Sequence, residues 1–176
     1  MDIILRNARI SNDAADQLVD IGIADGKIET LQQNLQADGQ RYDLDGRMVT
    51  SGFIETHIHL DKSCILERCK SDKGDLDEAI QEVAQAKAAF SAEDVYARGQ
   101  RTLEKCIVNG TTHMRTHLEV DPVVGLRGLE GVKALIDDYK WAMDIEICVF
   151  PQEGLLNNPG TDELMVAALK DGATVV

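Results

Sequence analysis

The stretch Gly52-Phe53-Ile54-Glu55-Thr56-His57-Ile58-His59-Leu60-Asp61 decides how the rest of the chain is read. Two of the four histidines stand two apart inside an apolar run. Ile54, Ile58 and Leu60 surround them, so the run is expected to be a buried strand. Side chains alternate faces along a strand, which points His57 and His59 the same way. Two imidazoles on one side of a strand can begin a metal site. One strand alone cannot complete the coordination shell.

Upstream, residues 1–50 read as short strands joined by tight turns. Ile3, Leu5 and Ile10 fall in a first run, and Val19, Ile21 and Ile23 alternate in a second. Asp25-Gly26 follows directly, a strong hairpin signal, and residues 27–31 form the return strand. A second pair, Asp45-Gly46, lies before Met48-Val49. These features predict a small antiparallel β-unit, with the polar segment 32–40 as loop.

Downstream, strand-like and helix-length runs alternate. Leu76, Ile80, Val83 and Ala84 give residues 75–89 one apolar face. Ser91 is placed to cap a second helix lined by Val95, Leu103, Cys106 and Ile107, with Asn109-Gly110 at its end. Residues 112–120 read as a strand, 126–141 as a helix and 144–150 as a strand. Thr161-Asp162-Glu163 is expected to cap a last helix that Gly172 stops, and residues 173–176 begin a further strand. Such alternation implies α/β architecture, a parallel sheet with helices outside. Either a doubly wound sheet or a (β/α)8 barrel fits. A barrel takes roughly 250 residues, more than the 176 here, so residues 51–176 are expected to hold its first three to four βα units.

The totals exclude several classes. A net charge of -13 disfavours nucleic acid and anionic membrane as partners. No apolar run approaches the roughly 20 residues of a membrane span, and the first residues lack a signal-peptide pattern. The four cysteines are scattered, without a C-x-x-C pair, which fits a reducing, cytoplasmic setting. Phosphate-loop, dinucleotide-turn and nucleophile-elbow motifs are absent.

Function in either α/β fold gathers at the C-terminal ends of strands. His57 and His59, then His117 and Glu119, then Gln152 and Glu153 occupy three such ends. Gln152 offers both a donor and an acceptor, which suits an amide-like substrate edge. His117 reads as a neutral supporting histidine, and His113 as structural. Lys62 reads as solvent-facing, and Glu119 and Glu153 as solvated or ion-paired carboxylates.

The order of these blocks resembles the metal-dependent amidohydrolase superfamily. The lead into His57-Ile58-His59 carries the superfamily likeness. Arg115-Thr116-His117 and Phe150-Pro151-Gln152-Glu153-Gly154 resemble its cytosine deaminase branch. The resemblance implies a (β/α)8 TIM barrel, of which this chain carries the N-terminal half, with a small β-sandwich subdomain built from both chain ends, of which residues 1–50 are part. It implies a divalent metal, Zn or Fe, with His57 and His59 as its first two ligands. Gln152 would hydrogen-bond the substrate ring. The implied activity is hydrolysis of a non-peptide C–N bond, the deamination of cytosine or a related small nitrogen heterocycle. Lys62-Ser63 stands where cytosine deaminases carry threonines, while ammelide-type triazine enzymes carry lysine. An ammelide-type or hydantoin-like substrate is therefore the alternative, as is an inactive fragment that only binds a partner. The remaining ligands and proton-transfer residues are expected beyond Val176, and a homo-oligomer is expected for the full-length protein.

Overall fold

The computed structural model describes residues 1–10, 17–70 and 72–176. The chain divides into two compact units, Met1–Ser51 and Gly52–Val176.

The first unit is one sheet of β1 (Ile3–Ala8), β2 (Val19–Ala24), β3 (Lys27–Gln32) and β4 (Gln40–Asp43), in the order β3-β2-β1-β4. Asp25 (φ 51°) and Gly26 (φ 71°) are both left-handed, as the tight antiparallel hairpin between β2 and β3 requires. Ile4, Ala8, Ile21 and Leu35 are buried, so the polar 32–40 loop also supplies a core residue.

Two expectations fail in this unit. The sheet is mixed, because β1 and β4 run parallel. Asp45-Gly46 does form a left-handed turn (φ 50° and 74°), but Met48 then bridges Arg9 in parallel, so the chain does not fold back as a hairpin. The described residues of this unit form one four-stranded sheet, the part of the implied β-sandwich subdomain that residues 1–50 carry.

The second unit holds the parallel strands β5 (Phe53–Ile58), β6 (Thr111–Glu119) and β7 (Asp144–Phe150), in that order. Val175 bridges Cys148 in parallel and so begins a fourth position. Helices α1 (Leu76–Lys87) and α2 (Ala92–Val108) connect β5 to β6, α3 (Arg127–Tyr139) connects β6 to β7, and α4 (Thr161–Lys170) follows β7. Alternation on β6 separates two faces. Met114, Thr116 and Leu118 are buried, whereas His113 and Arg115 are exposed and His117 is half-buried. The buried face packs with Ile147 and Val149 against Val95 and Leu103 of α2, Leu129, Val132 and Leu135 of α3, and Met165 and Ala168 of α4. The α2–α3 approach is close enough that a Cβ on Gly131 would stand 2.6 Å from the Ala92 carbonyl oxygen.

Three local expectations need correction here. β5 is not buried: among the described residues it pairs with β6 alone, and Phe53 and Ile54 are 63% and 68% exposed. The predicted apolar face of α1 is weak, since Leu76 is exposed and the helix's buried residue is Lys87. The last helix is capped by Gly160 (φ 96°), while Thr161 is fully buried and its hydroxyl donates to the Asn158 carbonyl at 2.7 Å. Ser91 does cap α2, accepting the Asp94 N–H at 3.2 Å. Among the described residues no helix is long and apolar enough to cross a membrane.

Candidate metal and substrate site

His57 lies near the end of β5 and His59 just beyond it. Between Glu55 and Ile58, β5 gains one residue on β6, a bulge that takes in Thr56 and His57. The two imidazoles still converge, with ring centroids 5.3 Å apart. His117, at the matching end of β6, stacks on His57 at 4.0 Å. It thus belongs to the cluster itself, a closer association than its sequence context suggested.

Hydrogen bonding sets the chemistry of these rings. His59 Nδ1 lies 2.8 Å from the His117 carbonyl oxygen. A carbonyl can only accept, so Nδ1 carries the proton and Nε2 keeps its lone pair. Burial, then the nearby Lys62 charge, lowers the His59 pKa. Burial, then His57, lowers that of His117. The buried Nδ1 of His117 has no hydrogen-bond partner. Neutral imidazoles with available nitrogens are the form that ligates Zn or Fe, so these residues fit a divalent cation.

The segment after His59 is pinned from below. Leu60 N donates to the buried Thr116 hydroxyl at 3.0 Å, and Glu119 N donates to Asp61 Oδ2 at 2.9 Å. Burial pushes the Asp61 carboxyl up to about 6. Arg98 of α2 donates to the carbonyls of Asp61 (3.0 Å) and Ser63 (2.8 Å).

Lys62 is only 11% exposed, against the solvent-facing position expected for it. Its ammonium donates to Glu119 Oε2 at 3.0 Å and to Gln152 Oε1 at 3.2 Å. It also lies 4.9 Å from the Phe150 ring centroid. Phe150 is in turn 5.5 Å from the His59 ring. Gln152 therefore sits beside the histidine cluster with its oxygen engaged and its amide N–H groups available. A lysine donor, an amide donor and an aromatic face together suit a flat polar ring.

Among the described residues, Glu119, Asp121 and Glu153 form a group of three ligand-type side chains whose atoms all lie within 4.8 Å of one another. A cation of the protein's own occupies that trio. Lys87 donates to Glu119 Oε1 and Glu153 Oε1, both at 2.5 Å, and to Asp121. Burial opposes its charge, but the hydrogen bonds it donates to Asp121, Glu119 and Glu153 outweigh that and raise the Lys87 pKa. The trio is an ion-pair cluster and not a second candidate metal centre.

Two clefts flank this framework. One of about 440 Å³ adjoins Lys62 and runs between residues 62–70 and α1, lined also by Cys64, Cys69, Glu82 and Val83. A second, of about 500 Å³, is lined by Glu55, His113, Arg115 and Asp144 near the opposite end of the strands. Neither the first cleft nor the slightly larger second one is lined by His57 or His59, and only the first reaches Lys62. In the second, His113 faces Asp144 at 3.4 Å and takes no part in the cluster.

The chain belongs to the amidohydrolase family, whose model matches residues 40–176. A 5-methylcytosine deaminase from Klebsiella pneumoniae, solved with 5-fluorocytosine, is 33% identical with a TM-score of 0.87, over 97% of this chain and 41% of that one. An N-isopropylammelide isopropylaminohydrolase from Burkholderia multivorans is 31% identical with a TM-score of 0.84, over 98% of this chain and 44% of that one. An N-isopropylammelide isopropyl amidohydrolase from Pseudomonas sp. strain ADP is 26% identical over 99% of this chain and 44% of its own length. The chain thus spans less than half the length of these relatives.

Proposed function

We propose that this chain supplies the first three βα units of a metal-dependent (β/α)8 hydrolase. Its reaction is removal of an amino substituent from an oxo-bearing nitrogen heterocycle, cytosine or a close relative. The observation that carries this reading is the convergence of Lys62 and Gln152, from the ends of β5 and β7, beside His57 and His59.

His57 and His59 would hold a Zn or Fe cation. When bound, the cation supplies Lewis acidity that makes water nucleophilic near neutral pH. Gln152 donates its amide N–H to a ring acceptor, because Lys62 already occupies its oxygen. Phe150 offers a face to the ring, and Lys62 offers a charge-assisted donor to a ring carbonyl. In the overall reaction water replaces the amino group, leaving a ring carbonyl and free amine.

Lys62 also supports a second reading. An ammonium favours a ring with more oxo groups and more negative charge than cytosine carries, such as an ammelide-type triazine bearing an alkylamino substituent. Parallel assays of the metal-loaded whole protein separate the two. The first reading expects ammonia from cytosine or 5-methylcytosine, and the second expects isopropylamine from N-isopropylammelide. Turnover of neither class would overturn the proposal.

A further inference from the structure

The proposed chemistry does not use Lys87, yet this is the buried residue of a helix whose other residues are exposed or half-buried. Its side chain is 3% exposed and meets carboxylates from the ends of β6 and β7. Glu119 is the branch point. Its Oε1 accepts from Lys87 at 2.5 Å and its Oε2 accepts from Lys62 at 3.0 Å. Lys62 then reaches Gln152. An unbroken chain of charged hydrogen bonds therefore runs from α1 to the residues placed against the substrate.

We propose that Lys87 is a positioning residue: by holding Glu119 Oε1, it aims Oε2 at Lys62 and so fixes Lys62 against Gln152. Without the Lys87 charge, Glu119, Asp121 and Glu153 would face one another within 4.8 Å as unbalanced anions. Repulsion then turns Glu119 away, and Lys62 keeps only Gln152 and the Phe150 face. The significance of this network for substrate binding rests on the function proposed above; the positioning itself does not.

The test is limited acetic anhydride labelling of the protein, with the rate at each lysine read by mass spectrometry. Exposed Lys27 and Lys105 serve as internal references. Lys87→Met is paired with Asp121→Asn, which keeps the net charge of the cluster, and Asp121→Asn alone is the reference variant. Its side-chain oxygen can still accept the Val123 and Val124 N–H groups that Asp121 now holds. Lys62 should react in Asp121→Asn as in the wild type. In the paired variant it should react about tenfold faster, the effect of losing one charge-assisted hydrogen bond. Glu119→Gln should accelerate it similarly. An unchanged Lys62 rate in the folded paired variant overturns the proposal. Where the pair does not fold by circular dichroism, an unchanged rate in Glu119→Gln overturns it instead. In the whole enzyme, the paired variant should raise KM more than it lowers kcat, with no further rise when Lys62→Met is added. KM effects that multiply would mark Lys87 as merely structural and overturn the proposal. Faster labelling with wild-type KM would support the positioning and contradict the substrate-binding role of Lys62.

Discussion

His59 owes its availability to a carbonyl oxygen: the His117 carbonyl takes the Nδ1 proton and leaves Nε2 unprotonated. The convergence of His57 and His59 was readable from their i, i+2 spacing. The roles of Lys62 and Lys87 were not. A lysine beside a motif or on an amphipathic helix reads as solvated, and its partners lie 57 and 32 residues away at Glu119. His117 was visible as a strand-end residue, but its stacking on His57 depends on the strand pairing. Lys62→Met should raise KM about tenfold or more while bound metal stays at the wild-type level, because a charge-assisted donor is lost without disturbing the histidines. Steady-state kinetics with metal analysis checks this, and unchanged KM would remove Lys62 from the substrate site.

At the scale of the elements, side-chain period and capping chemistry were the readable signals. Ser91 and the Asn109-Gly110 end were expected and occur. The parallel β1–β4 pairing was not readable, since an Asp-Gly turn reports local geometry and not which strand lies alongside. The exposure of Phe53 and Ile54 was hidden for a similar reason, because burial of a strand depends on its neighbours. The close α2–α3 contact gives a sharp expectation. Gly131→Ala would place a methyl group 2.6 Å from the Ala92 carbonyl oxygen. Despite the roughly 1 kcal/mol helix preference of alanine over glycine, the clash should destabilise the fold by about 1–2 kcal/mol net. Thermal unfolding would show a lower Tm.

The start of α2 carries a pH dependence. Asp94 accepts two hydrogen bonds from Arg68, at 2.6 and 2.9 Å, and one from Arg98 at 3.0 Å. The Arg68 bonds foremost lower its pKa to about 2. The folded value is below the unfolded one, so the stabilisation is present above about pH 4 and is lost as pH falls through 2. Partial exposure limits it to about 1 kcal/mol. Urea unfolding of Asp94→Asn should therefore differ from wild type at pH 6 and converge with it towards pH 2. A gap independent of pH would contradict the ion-pair account.

For the whole molecule, the strand–helix alternation made the parallel α/β unit legible. Two histidines bind metal weakly and bring no general base with them. The 176-residue chain loaded with Zn(II) or Fe(II) should accordingly release no ammonia from cytosine above background, and release would contradict that expectation. The central claim is that the ends of these parallel strands build a cation site from His57 and His59. Its most direct test is Zn(II) titration of the wild-type chain beside the His57→Ala/His59→Ala variant, with bound metal counted. The account predicts one weakly bound ion per wild-type chain and none in the folded variant; equal binding by both would place the metal elsewhere and contradict it.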